Sequence, residues 1–285
     1  MKTILYTFIV IFVFGILQPA FTSSAPKQSS ILIQAKNSKP SAQQLEQSVK
    51  IISGRLADFS SGKFEVTVVS GKNQIRVSAA SIPDLKTIED LLTQKGEMAF
   101  YETYDSSGLA QLLKGDSTLF SFFERKSIHP SDARIGCISD LGRSKVNVYL
   151  EKHGPVSGCK LMWDRQEHAS NCLYALKTNG DKGAVEVGSE IESVRYNQDQ
   201  AARYNEILVK FKPAAVVLWA EVTRRNIGHS IAIVLDDKVL ATPVVRSVIS
   251  GGNCMISGNY TQSEARFIAA LGNHGELPLN FSVVK

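Results

Sequence analysis

Past its first twenty residues the sequence has no apolar run approaching the roughly 20 residues that a membrane-spanning helix requires. Charge of one sign is scarce too. The chain carries 32 Lys and Arg against 27 Asp and Glu, interspersed, for a formal net charge of +5. That is ordinary surface charge and not the footprint of a nucleic-acid-binding protein. A phosphate-binding loop is missing: between Gly54 and Lys63 the glycines stand too far apart, and Phe64 occupies the place of the required hydroxyl residue. A nucleophile elbow is missing as well, because Gly228-His229-Ser230-Ile231-Ala232 lacks its second glycine, and His229 reads as a surface residue at the start of a strand. No pair of carboxylates stands out for acid–base work. The sequence therefore nominates no catalytic residue, no metal ligand and no cofactor.

Cysteine is sparse, with four residues, Cys137, Cys159, Cys172 and Cys254. A zinc site built from His153, Cys159, His168 and Cys172 is one reading of the region where they cluster. Their spacings match no common finger, in which ligands come as close Cys or His pairs. In an exported chain a disulfide is the better account, and Cys159–Cys172 is the expected bridge, although sequence alone does not fix connectivity.

The export expectation comes from the first residues. Lys2 is followed by an apolar run from Ile4 to Leu17, then by Gln18-Pro19-Ala20 and small polar residues. A positive start, a short apolar core and a small-residue exit describe a signal peptide over residues 1–24, with an uncleaved anchor as the alternative. No Cys follows the run, which argues against lipid attachment there.

The remaining chain divides into three stretches. In 25–104, Ile31–Ala35 reads as a strand, and Ser41 with Gln44 is a capping box opening a helix whose Leu45, Val49, Ile52 and Leu56 share one face. Phe64–Val69 and Gln74–Ser78 form a hairpin about Ser70–Asn73. Pro83 starts a second helix, and Met98–Tyr104 is the next strand. This β-α-β-β-α-β order predicts a ferredoxin-like split βαβ lobe. Residues 105–187 hold three of the cysteines and show no long period. In 188–285 strands and helices alternate again. Glu206–Phe211 reads as a strand, and Pro213 opens a helix whose Ala215, Leu218, Trp219 and Val222 read as core. Asp236-Asp237 forms a turn between two strands, with a cation site as its sharper alternative. Val244–Ile249 continues extended, and Gly251-Gly252 serves a sharp backbone bend. Thr261 with Glu264 caps the last helix, and Leu279–Val284 is the final strand. The fold class is α+β.

Taken together, Ile231–Asp236, Pro243, Gly251-Gly252, Gly258, Glu264-Ala265 and the Gly275-to-Pro278 segment closely resemble the head of the first periplasmic domain of SecD, a subunit of the protein-translocation channel. Glu221–Thr223 and the Gly188–Ile191 segment resemble the flanking elements of that head. The order of elements in 31–104 is similar to the non-head part of the same domain. The sequence departs from the family where Ser23–Ser30 replaces an acidic, Gly-containing motif and where Asp237 replaces the usual Gly of the hairpin turn. The resemblance implies structural roles for Asp236, Pro243, Gly251, Gly252, Gly258, Gly275 and Pro278. It implies an exported, periplasmic, non-enzymatic protein, close to the membrane without spanning it, whose partners are unfolded or translocating polypeptide and translocase membrane subunits. Energy coupling is not carried over, because the family places it in transmembrane helices. The alternatives are an interaction module that keeps the fold without the translocation role, and a metal-dependent activity in 105–187.

Overall fold

The computed structural model describes residues 29–36, 39–123, 125–126, 132–165, 171–178, 185, 188–197 and 205–285. The predicted signal peptide and His168 lie outside them. Among the described residues no helix is long and apolar enough to cross a membrane.

The amino-terminal elements are β1 (Ser29–Ala35), α1 (Ala42–Phe59), β2 (Phe64–Val69), β3 (Gln74–Ala79), α2 (Leu85–Thr93) and β4 (Met98–Tyr104). The capping box at α1 is present: the Gln44 N–H donates to Ser41 Oγ at 3.1 Å and the Ser41 N–H to Gln44 Oε1 at 3.0 Å. Each bond satisfies a donor that the first helical turn leaves free. Helix α2 starts two residues after Pro83, capped by Asp84 through the Thr87 N–H.

Strand pairing corrects one expectation. The first sheet runs β14-β1-β3-β2, with β14 (Phe281–Val283) as the neighbour of β1. Strand β4, the fourth strand of the expected split βαβ lobe, pairs elsewhere. The reason is its burial: Met98, Ala99, Phe100 and Tyr101 are all buried. An edge strand with one face in water alternates apolar and polar residues, and this segment needs cover on both faces.

The middle stretch supplies α3 (Ser106–Leu112), α4 (Thr118–Ser121), β5 (Arg125–Lys126), β6 (Arg134–Ile138), α5 (Asp140–His153), β7 (Cys159–Trp163) and β8 (Asn171–Lys177). The last part supplies β9 (Ile191–Asn197), β10 (Asn205–Phe211), α6 (Pro213–Arg225), β11 (Ile231–Leu235), β12 (Lys238–Ala241), β13 (Asn253–Gly258) and α7 (Gln262–His274). Val244–Ile249, expected as extended strand, makes only isolated bridges, Ile227↔Val245 and Ser230↔Val244.

Strands β12, β11, β4 and β8 lie side by side, and β7 pairs the far side of β8. A parallel bridge Asp164↔Val239 and the Arg165 N–H donating to the Val239 carbonyl at 2.9 Å bring β7 back to β12 and close a ring. Ala99, Tyr101, Met162, Tyr174, Leu176, Ala232 and Val234 share the core inside it. Small residues beside large ones let so narrow a ring fill without voids. The opposite face of β4 and β11, with Met98, Phe100, Ile231, Ile233 and Leu235, belongs to the main core. That core runs from Ile33 and Ile75 of the first sheet through Ile52 of α1 and Leu271 of α7 to Phe211 and Trp219. Phe100, Phe211 and Trp219 meet with ring centroids 5.0–5.4 Å apart. A third core, around Leu109, Phe123, Val146, Trp163 and Leu173, holds the middle stretch.

The expected Cys159–Cys172 bridge is also corrected. Cys172 is bonded to Cys137, and Cys159 and Cys254 are free and buried. The register decides this. Cys137 lies directly opposite Cys172 across β6 and β8, whereas Cys159 lies opposite Lys177, at the far end of β8.

Candidate binding cleft

Strand β13 is hydrogen-bonded to β10 on one side, and the sheet order β13-β10-β9 leaves its other edge unpaired among the described residues. Two recesses follow that edge. One, of about 390 Å³, lies between β12 and β13 and is bordered by Val239–Pro243 and Met255–Tyr260. The other, of about 270 Å³, is walled by Trp219, Ile231, Ile233, Val245, Ile249 and Cys254. They share Pro243 and Met255 as wall residues and so lie side by side along the β13 edge, together the candidate cleft.

The ends of the cleft are fixed by hydrogen bonds. The Tyr260 hydroxyl donates to the Leu240 carbonyl at 2.9 Å and ties the end of β13 to β12. At the other end the buried Thr223 hydroxyl accepts from the Ile249 N–H at 3.0 Å and donates to the Trp219 carbonyl at 2.9 Å. The chain then bends at Gly251-Gly252. Gly252 has φ +66°, where a side chain is strained, and a Cβ there would press on the Val216 side chain. Its carbonyl accepts from the Phe211 N–H at 2.9 Å.

Two exposed apolar residues stand in the wall of the cleft, Met255 at 53% and Val244 at 41% exposure, and Leu208 lies beside Met255 in the β10–β13 register. Burial pushes the Cys254 thiol up to about 12, which holds it protonated and inert.

A second assembly sits where the first sheet's helices meet the last part of the chain. Arg55 is fully buried on α1, and its guanidinium donates to the carbonyls of Leu91 (3.1 Å), Gln94 (2.7 Å), Lys95 (2.7 Å) and Gly275 (2.8 Å). Burial pushes its pKa down to about 10, opposed by the charge of Asp236, so it remains a cation at neutral pH. Asp236 accepts from the Gly96 and Glu97 N–H groups at 3.0 and 2.8 Å. Asp236 and Asp237 have φ of 50° and 58°, the geometry of a type I′ hairpin turn, which Asp tolerates in place of Gly. Gly96 stands at φ +80°, and a Cβ there would overlap the Arg55 guanidinium.

The structure thus divides the residues singled out by resemblance. Asp236 and Gly275 converge on Arg55. Pro243 and Gly258 border the cleft, and Gly251 and Gly252 turn the chain toward it. Pro278 follows Leu277, whose N–H donates to the Lys95 carbonyl at 2.8 Å in the return to the first sheet. Arg55 is not among the residues anticipated from sequence. Its signal was available, as a cation on the stripe that carries Leu45, Ser48, Ile52 and Leu56.

The zinc alternative loses two of its four residues, and His168 lies outside the described ones. Cys172 is in the disulfide, and burial pushes the Cys159 thiol up to about 12. His153 stacks on Tyr149 at 4.0 Å with Nδ1 against the Tyr149 carbonyl. At the start of β11 the Ser230 carbonyl accepts from Thr103 Oγ1 at 2.8 Å, and the His229 N–H donates to the Asn226 carbonyl, so both residues serve the fold.

Residues 170–279 match the family model of the SecDF P1 head subdomain. The chain resembles the first periplasmic domain of SecD, head included, and these relatives are translocase subunits and not enzymes. Protein translocase subunit SecD of Calditerrivibrio nitroreducens is 27% identical over 243 residues, covering 85% of this chain and 40% of that protein. Protein translocase subunit SecDF of Thermus thermophilus is 37% identical over 98 residues, 34% of this chain and 13% of that protein. The chain therefore spans less than half the length of these relatives. Among solved structures, SecDF in its super-membrane-facing form gives a TM-score of 0.56 at 20% identity, covering 90% of this chain and 29% of that one. A structure of SecDF described as a membrane component that enhances protein export gives 0.53 at 20% identity, covering 90% and 98%. At that identity the likeness establishes the shared fold.

Proposed function

We propose that this chain is an exported, extracytoplasmic, non-enzymatic protein that captures extended polypeptide during protein translocation, and that the β13 cleft is where it does so. The unpaired edge of β13 beside an apolar recess carries this reading. An extended chain adding to that edge gains main-chain hydrogen bonds that do not depend on its sequence, and the recess accepts an apolar side chain. A translocation helper needs that tolerance. On this reading the lobe of β1, α1, β2, β3 and α2 is ferredoxin-like with β14 in the fourth-strand place, residues 105–187 are an insert in the head, and 188–285 complete the head.

The first test is photocrosslinking in cells from Val244 and Val248, with mass spectrometry of the captured species. Recovery of secretory polypeptides or translocase subunits supports the proposal. Recovery of a single unrelated envelope protein would replace it with an interaction module that kept the fold. In solution, an unfolded apolar peptide should quench or shift the emission of Trp219, one of only two tryptophans. Met255→Glu, which puts a charge on the shared rim of the two recesses, is expected to weaken that binding about tenfold, equivalent to about 1.4 kcal/mol. N-methylation at alternate amides of the peptide should weaken it to a similar degree, because it removes donors that an edge strand would use. Equal binding by wild type and Met255→Glu would move the site away from the cleft.

A further inference from the structure

A third recess, of about 380 Å³, lies where the middle stretch, the β11–β12 hairpin and the end of α2 meet, lined by Gln94, Arg143, Asp164, Arg165, Asp236 and Lys238. Its carboxylates already hold backbone donors. Asp236 accepts from the Gly96 and Glu97 N–H groups, and Asp164 accepts from the Cys172 N–H at 3.1 Å. Arg143 comes from α5, donates to Asn171 Oδ1 at 2.8 Å and lies 5.3 Å from the Trp163 ring centroid. Lys238 comes from the hairpin. Neither forms an ion pair among the described residues, and Asp237, next to Lys238, is turned to Lys160 at 2.8 Å. The two cations feel each other. Burial first, and then the Arg143 charge, push the Lys238 ammonium below the ordinary lysine value, against the opposing pull of Asp164 and Asp237. Three cations, Arg143, Arg165 and Lys238, line the recess against two carboxylates, Asp164 and Asp236, and an anion seated between Arg143 and Lys238 turns the repulsion of that pair into attraction.

We propose that this recess binds a small oxyanion, a phosphate group either free or on a lipid, between the guanidinium of Arg143 and the ammonium of Lys238, and that the bound anion clamps α5 to the β11–β12 hairpin. The chemistry suits the pair. A planar fork and a point charge together satisfy several oxygens of a tetrahedral anion through charge-assisted hydrogen bonds. This inference is independent of the polypeptide cleft, because the two recesses share only Asp164 and Arg165 at their margins.

The test uses the full chain with inorganic phosphate against chloride at matched ionic strength. Phosphate is expected to raise the unfolding temperature and to slow hydrogen exchange in α5 and the β11–β12 turn, where chloride does neither. The amine resonance of Lys238 should titrate at higher pH with phosphate bound, since a neighbouring anion favours the charged form. Lys238→Gln, at a half-buried turn position that leaves the three cores untouched, should weaken phosphate binding about tenfold, as expected for one charged hydrogen bond. Arg143→Lys keeps the charge without the fork and should fall between that variant and wild type. Sedimentation with phosphatidylglycerol vesicles but not phosphatidylcholine vesicles, competed by phosphate, would assign the site to a lipid headgroup. Phosphate binding without vesicle capture would assign it to the free ion. Equal effects of chloride and phosphate, or unchanged phosphate binding by Lys238→Gln, would overturn the proposal.

Discussion

Arg55→Met is expected to cost about 3 kcal/mol of folding stability, a large part of the roughly 5–15 kcal/mol that keeps an ordinary domain folded. The side chain is buried, and its guanidinium is held by the Leu91, Gln94, Lys95 and Gly275 carbonyls. Methionine fills much of the volume but removes the donors: the buried Leu91 carbonyl and the half-buried carbonyls of Gln94 and Gly275 lose this partner, while Lys95 keeps the Leu277 N–H. An acceptor left buried and unsatisfied costs about 1–3 kcal/mol. Three of the carbonyls lie at the end of α2, where a helix has free acceptors of its own. Arg55 therefore closes α2 and fastens it to Gly275, 220 residues away in sequence. Lysine should not rescue. One ammonium on a flexible stem cannot reproduce a planar fork that reaches four acceptors, and burial in the same site would favour its neutral form. Urea unfolding of wild type, Arg55→Met and Arg55→Lys decides the matter. A loss below about 1 kcal/mol in the methionine variant would show that water or a rearranged helix end replaces the guanidinium.

Cys137→Ser or Cys172→Ser should destabilise the fold by about 4 kcal/mol, from closure of a loop with a sequence separation of 35. The loss should concentrate in one region. The bond ties β6 to β8, and the third core, around Leu109, Val146 and Trp163, is a cluster separate from the main one. Reduction should thus open α3 to β8 to hydrogen exchange and protease while the main core around Trp219 stays protected. Cys159→Ser should cost far less, because it breaks no bond and replaces one small buried group. The connectivity has its own check. Non-reduced digestion followed by mass spectrometry should recover a peptide pair joined through Cys137 and Cys172, and a pair containing Cys159 would contradict the register of β6, β7 and β8.

Much of the fold was legible in the sequence because its signals are local. The capping boxes Ser41/Gln44 and Thr261/Glu264 act within three residues and stand where they were read. Pro213 opens α6, and Leu235-Asp236-Asp237-Lys238 is a two-residue hairpin turn. Trp219 is core, as its place on the apolar face of its helix indicated. The motif block in the last third led to the family that the comparisons return. The middle stretch was not legible: α3 and α4 are short, α5 carries Leu141 and Val148 on exposed positions and so shows no clean apolar face, and its order depends on a disulfide and on a core assembled from distant segments.

By itself, then, the sequence determined the type and order of most elements, the hairpins and helix starts, and the resemblance to the SecD head. These rest on periods of 2 and 3.6 residues and on hydrogen bonds that span a single turn. Only the tertiary structure decided which strands meet. Buried on both faces, β4 left the first sheet for the ring, and β14 took the place beside β1. Cross-strand register chose Cys137 over Cys159 for Cys172. Arg55 became a bracket only when Gly275 came within reach, and the β13 cleft exists only because β12 and β13 approach without pairing. Pairing partners are selected by burial and by contacts between residues far apart in the chain, and no window of sequence contains both sides of such a choice.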